Sequence, residues 1–277
     1  MQLLQYDSTH KTKRKSNQGE KQLILDSRKY VNDARKLNKP GLQDRFDKHQ
    51  RLRHDEIDKL FEHVKHKPFT TTQYRYLEYG IRYQGIWDIE TSDFDPQQNF
   101  IICYDMLIRD IVTGKTEHVH DAITKKDIKL AVDEQNFDFD KRLLQTLSWN
   151  MHQCHQVVGH YSSKFDYPYF RTRCLLTNQD KLIPEYGHLF SADTWRYMKN
   201  TLKAKRNTLK NFIKVTGGVD EKTFVDLRYW YITHFKDHKE WQKSMNYIED
   251  HCVKDVKMTY LGLMKVEHFN PISRMKI

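Results

Sequence analysis

Four acidic residues and one histidine carry the spacings in this sequence that could do chemistry. Asp88 and Glu90 stand two apart in QGIWDIE, whose β-branched and aromatic residues read as a strand. Side chains alternate faces along a strand, so both carboxylates project from the same side. Like charges placed side by side repel, and either water or a cation must relieve them. Hard divalent ions such as Mg²⁺ and Mn²⁺ take oxygen ligands of this kind. Asp166 follows VVGHYSSKF and precedes Tyr167-Pro168, where a strand and loop hand over to a helix. An N-cap would also account for it, since Asp is a favoured cap and proline suits the first turn. In YIEDHCVKDVKMTY, His251 and Asp255 are four apart, which puts an imidazole and a carboxylate on one helical face. Taken singly, each signal has an ordinary structural reading: a strand end meeting solvent, a cap, a surface pair.

The elements that must position these residues follow from periodicity. After QGIWDIE come NFIICYDMLI, a turn at Thr113-Gly114-Lys115 and TEHVH, which together predict a three-stranded antiparallel meander. Residues 139–151 have helical spacing through Leu143, Leu144, Leu147 and Met151. VVGHY predicts a fourth strand, YPYFRTRCLLTN a helix and HLFSAD a fifth strand. From Thr194 onward helical periodicity dominates, broken at Gly217-Gly218 and ending in a long helix around 241–263. The fold class is α/β, a mixed five-stranded sheet flanked by helices. Upstream, residues 1–20 are polar and basic and read as a mobile arm. Residues 21–80 read as a helical accessory module. Leu23, Ile24, Tyr30, Val31 and Leu37 mark its first helix, Leu42, Phe46, Ile57, Leu60, Phe61 and Val64 its second, and 70–79 a short third. Residues 81–277 form the sheet-bearing domain.

Of the 277 residues, 38% are hydrophobic and 30% charged, which is too apolar for a disordered chain and too charged for a membrane protein. No apolar run approaches the roughly 18 residues of a spanning helix, and MQLLQYDSTHKTKRK lacks a secretory apolar stretch. Neither a membrane partner nor export is expected. Cys103, Cys154, Cys174 and Cys252 form no CxxC pair, so buried free thiols in a reducing compartment are expected rather than zinc fingers or disulfides. His118/His120 and His152/His155 lack companion cysteines and do not predict zinc. The net charge of +10 suits an anionic partner. Residues 1–85 hold 19 Lys and Arg against 11 Asp and Glu, so most of the excess is N-terminal. A second patch, Arg196, Lys199, Lys203, Lys205, Arg206, Lys210 and Lys214, falls in a span without acids, 194–219. A solvated face is the plain alternative for both.

Order joins the separate signals. DIET in the first strand, HYSSKFD at the strand-to-helix junction and HCVKDV on the last helix resemble the three exonuclease motifs of the DEDD superfamily of 3′–5′ exonucleases, which have a ribonuclease H-like fold. Between the second and third motifs, SADTW and NTLKNFIKVTGG are similar to that family's Asp-Thr strand end and Leu-Lys helix. The match spans residues 84–265. It is nearest to the exonuclease domain related to family B DNA polymerases, as found in stand-alone viral and archaeal proteins.

The resemblance implies that Asp88, Glu90, Asp166 and Asp255 bind two Mg²⁺ or Mn²⁺ ions and are catalytic. His251 is the departure: one branch has Tyr four residues before the last Asp and another has His five before, whereas here His251 stands at four and Asp250 at five. A mechanistic His251 in the tyrosine's place, taking a proton from water, is the expectation. Asp193 matches a recurrent family position whose role is structural.

The implied activity is two-metal hydrolysis of phosphodiester bonds at single-stranded DNA 3′ ends. Thr91 would hold the terminal nucleotide, and Trp195 and Tyr197 would offer stacking faces. Arg196, Lys199, Lys203, Lys205, Arg206 and Lys210 would follow the phosphates. Exoribonuclease or flap-type nuclease activity, with RNA as substrate, is the alternative within the class. A catalytically idle nucleic-acid-binding subunit of a replication or repair assembly is the alternative outside it, and the presence of all four acids argues against that. The expected location is cytoplasmic or nucleoid-associated, a host cytoplasm for a viral protein.

Overall fold

A computed structural model describes residues 70–221, 225–234, 237–270 and the backbone of 275–276, all within one compact unit. The basic arm, 1–20, and residues 21–69 of the expected helical module lie outside the described residues. The meander forms as the alternation predicts. Strand β1 (Tyr83–Thr91) pairs antiparallel with β2 (Ile101–Asp110), which pairs antiparallel with β3 (Thr116–Ala122). On the other side of β1, β4 (Gln156–Gly159) runs parallel to it and β5 (Phe190–Asp193) runs parallel to β4. The order is β3-β2-β1-β4-β5-β6, and among the first five strands β2 alone runs against the rest. This is the mixed five-stranded sheet that the sequence leads one to expect. The edge strand β6 (Met275–Lys276) is an addition, and two residues are too few for an alternating pattern to announce it.

Seven α-helices complete the described architecture: α1 (Thr71–Glu78), α2 (Lys125–Asp133), α3 (Lys141–His152), α4 (Asp166–Leu176), α5 (Thr194–Thr201), α6 (Leu209–Val215) and α7 (His238–Val266). Ile86, Val158 and Ala192 of the sheet cluster with Met198 of α5, Phe212 of α6 and Val256 and Leu263 of α7. Trp87, Ile89, Tyr104 and Met106 cluster instead with Leu143 and Leu147 of α3 and Phe170 of α4. Ile86 and Trp87 are neighbours in β1, so their side chains point to opposite faces of the sheet. Helix α7 lies against β1 and β2 and approaches α6 so closely that a Cβ on Gly262 would stand 2.2 Å from the Phe212 ring.

Two helices differ from expectation. Helix α2 is absent from the periodicity reading because Ala131 is its one fully buried residue, although a capping box between Thr124 and Asp127 marks its start. Helix α1, read above as part of the accessory module, is fastened to the sheet domain. Gln73 Nε2 donates to the Ile111 carbonyl at 2.8 Å, Arg75 donates to the Asn270 carbonyl at 2.8 Å, and buried Tyr76 clusters with Ile81 and Ile111. All four cysteines are free and buried. Among the described residues, no helix is long and apolar enough to cross a membrane.

Candidate active site

Strand β1 presents Asp88 and Glu90 as half-buried positions between the buried Trp87, Ile89 and Thr91. Its register against β2 shifts between Glu90 and Thr91, a bulge that bends the strand where its acids end. Beside it, β4 ends in Gly159, where a Cβ would lie 2.4 Å from that of Ser162; only glycine lets the following loop fold back so tightly. The loop leads to Asp166, which is the first residue of α4, with Phe165 in the capping position. Capping therefore does not explain this aspartate. Its Oδ1 instead accepts from the Ile89 amide at 3.3 Å, between Asp88 and Glu90 in β1. A second tie holds the same helix. Arg173 and Asp140, both buried, form an ion pair at 2.8 Å; Arg173 also donates to the Pro96 carbonyl, and Asp140 accepts from the Ile101 amide. The loop leaving β1 is thus locked to the helix that starts with Asp166.

From the opposite layer, α7 turns His251 and Asp255 inward, with 3% and 7% exposure, while Asp250 faces solvent and pairs with Lys254. His251 Nε2 lies 3.9 Å from Glu90 Oε1, and the Trp230 ring meets the imidazole edge-on at 6.0 Å. The Cys252 Sγ lies 3.5 Å from the Asp88 carbonyl and 3.9 Å from its Oδ2. Of the two residues competing for the position beside the acids, His251 occupies it and Asp250 does not.

Burial pushes the Asp166 carboxyl up to about 7, and the charges of Asp193 and Asp255 push the same way, against its own and Ile89's amides. Burial also raises the thiols of Cys103 and Cys252, so both stay protonated and are not nucleophiles. Asp193 is occupied structurally: its carboxylate accepts from the amides of Tyr161 at 2.8 Å, Ser163 at 3.1 Å and Trp195 at 2.9 Å, and from the Ser163 hydroxyl at 2.6 Å.

One part of the site was not anticipated. Asp105 of β2, with no exposure, is the cross-strand partner of Asp88. His118 Nε2 stands 2.7 Å and His120 Nδ1 3.5 Å from its Oδ1, and His120 Nε2 reaches Glu249 of α7 at 3.2 Å. The available signal was a lone aspartate inside the apolar run NFIICYDMLI. The two histidines are partners of a buried carboxylate.

The expected nucleic-acid contacts divide. Trp195 and Arg196 are half-buried at the start of α5, and Lys199, Lys203, Lys205, Arg206 and Lys210 are exposed. Lys199 Nζ stands 5.1 Å from the Trp195 ring centroid. Lys210 is partly neutralised by Asp220 at 3.1 Å, one residue beyond the acid-free span. Thr91 and Tyr197 are buried, so the Tyr197 ring offers no open stacking face.

Among the described residues, no group of three or more His, Cys, Asp or Glu side chains is gathered so that it could hold a metal ion as it stands. The donor set of Asp88, Glu90, Asp166 and Asp255 is nevertheless all-oxygen, and burial with the neighbouring charges of Asp193 and Asp255 raises Asp166. Both properties suit a hard divalent cation.

No family model and no curated protein matches the chain by sequence. Among solved structures it is similar to the family B DNA polymerase of the hyperthermophilic archaeon Pyrobaculum calidifontis, at 15% identity and a TM-score of 0.48. That similarity covers 67% of this chain and 24% of the polymerase, so the chain corresponds to about a quarter of that protein's length.

Proposed function

We propose that this chain is a divalent-metal-dependent 3′–5′ exonuclease that hydrolyses phosphodiester bonds at single-stranded DNA ends, in a cytoplasmic or nucleoid setting. One observation carries the reading. Asp166 is bonded to the amide that separates Asp88 from Glu90 and feels the charge of Asp255, so acids from β1, α4 and α7 bear on one place. Asp88, Glu90, Asp166 and Asp255 would hold the ions. When bound, two Mg²⁺ or Mn²⁺ ions supply Lewis-acid stabilisation for an in-line displacement at phosphorus.

The remaining steps belong to the chain's own groups. His251, buried beside Glu90 and steadied by Trp230, takes a proton from the attacking water at its Nε2. The Glu90 carboxylate, 3.9 Å from that nitrogen, stabilises the imidazolium that forms. The protonated Cys252 beside Asp88 keeps that flank free of a competing nucleophile. Lys199, Lys203, Lys205 and Arg206 draw in the phosphate backbone.

The test is incubation of 3′- and 5′-labelled single- and double-stranded DNA, and of matching RNA, with Mg²⁺, Mn²⁺ or EDTA. Stepwise loss of 3′ nucleotides from single-stranded DNA, stopped by EDTA, is the expected result. Binding without metal-dependent cleavage of any substrate overturns the proposal.

A further inference from the structure

Tyr161 adopts a backbone conformation that a large side chain rarely accepts. Its φ is +67°, in the left-handed region that glycine and asparagine occupy at far lower cost. Three main-chain bonds hold it there. Its amide donates to Asp193 Oδ1 at 2.8 Å, and its carbonyl accepts from the amides of Lys164 at 2.9 Å and Phe165 at 3.1 Å. Nor is the residue packed away in return, being 45% exposed. A strained residue whose side chain is displayed rather than packed points to use of that side chain.

Trp195 stands beside it for a related reason. Its amide donates to the same Oδ1 of Asp193 at 2.9 Å, so one carboxylate oxygen fixes both aromatic residues. The two rings meet edge to face with centroids 5.4 Å apart, and Lys199, one turn along α5, places its ammonium 5.1 Å from the Trp195 ring. In an edge-to-face pair the partner covers at most one face of one ring, and here Tyr161 is exposed and Trp195 half-buried. Aromatic faces beside a cation suit an unpaired nucleobase and its phosphate, whereas a base inside a duplex is already stacked on both sides. The platform is close to the acids in chain and space: Tyr161 closes the turn that begins α4 at Asp166.

We propose that Tyr161, Trp195 and Lys199 form a stacking platform that captures one unpaired nucleobase near the end of a single strand. This rests on the exonuclease reading for its purpose but not for its test.

The experiment uses the full chain in EDTA and a 5′-fluorescein-labelled oligothymidylate, with affinity read by anisotropy. Tyr161→Asn keeps a residue suited to the left-handed backbone and removes the ring. It should bind about 5- to 100-fold more weakly, the effect expected for one stacked base, while melting at or above the parental temperature. Tyr161→Phe should bind like the parent. In a series of oligonucleotides with one abasic position moved inward from the 3′ end, the parent should lose affinity at one position, and Tyr161→Asn should not discriminate there. Parental affinity in Tyr161→Asn, indifference of the parent to every abasic position, or no binding by the parent overturns the platform. The two proposals fail separately. Weaker binding by Tyr161→Asn with no metal-dependent cleavage by the parent sustains the platform and removes the nuclease. Cleavage by both proteins with equal affinity sustains the nuclease and removes the platform.

Discussion

Asp88 and Asp105 stand directly opposite each other in the β1–β2 ladder and therefore project from the same face. Facing like charges destabilise a sheet, and Asp105 is fully buried. The arrangement stands because His118 and His120 meet Asp105 from β3, and His120 continues to Glu249 on α7, two residues before His251. A partly exposed ionic chain, anchored on the buried Asp105, thus runs from β2, beside the acid strand, to the helix that carries the candidate base.

That chain has a pH signature. The bonds to Asp105 and then to Glu249 hold the His120 imidazole at about 9, above its ordinary value, against the effect of burial. A raised folded value means that the stabilisation is complete below about pH 6.5 and is lost as pH rises through about 9, and its upper bound is about 3 kcal/mol. His120→Gln should therefore melt well below the parent at pH 6, and the gap should close by about pH 10. Equal melting temperatures at pH 6 would show that the contact to Asp105 is energetically idle.

Asp166 slopes the same way with pH for a different reason, because here the charged form is the unfavourable one. Its folded value is raised, so the ionised form destabilises the fold, weakly below about 4 and fully above about 7. In EDTA, Asp166→Asn should be stabilised relative to the parent, by more at pH 8 than at pH 4.5. The same substitution, like Asp88→Asn, Glu90→Gln and Asp255→Asn, should abolish cleavage in Mg²⁺. Full activity in Asp88→Asn would remove the four-acid site from consideration.

For His251 the expectation is a loss of about 10²–10⁴-fold in single-turnover rate on changing it to Ala, with DNA affinity little altered. His251→Tyr should retain more, since the resemblance places tyrosine at this spacing. A rate equal to the parent's across pH 6–9 would reduce His251 to a packing partner of Trp230.

What could be read beforehand was periodic, and what could not was a matter of pairing. Alternation put Asp88 and Glu90 on one face, and the four-residue spacing brought His251 and Asp255 inward together, because both rules follow from backbone geometry alone. Asp105 needed the β1–β2 register to be known before its neighbour became another acid. His118 and His120 looked like metal ligands lacking companions because their partners, Asp105 and Glu249, are 13 and 129 residues away. Tyr161 gave no sign of its positive φ, since glycine or asparagine would have announced the turn and tyrosine conceals it. Lys210 belonged to an acid-free span, and the first acid beyond it, Asp220, is the residue it pairs with.

The last prediction concerns where to cut the chain. Residues 1–69 carry 17 Lys and Arg against 10 Asp and Glu, a surplus suited to holding nucleic acid beside a nuclease domain. A deletion that ended at residue 80 would also remove α1, and with it the Arg75 bond to Asn270 and the buried Tyr76. Its effect would mix lost folding energy with lost binding. A chain beginning at Thr70 keeps the Thr70 cap and the whole of α1, and should melt near the parental temperature. If residues 1–69 contact phosphates, this shorter chain binds single-stranded DNA more weakly, and its log affinity falls less steeply with log salt because fewer counterions are released. Cleavage of short substrates at saturation should persist, since the acids and His251 remain in place. Unchanged affinity together with an unchanged salt slope would mean that this basic surplus faces water or a protein partner, and that Lys199, Lys203, Lys205 and Arg206 carry the electrostatic work.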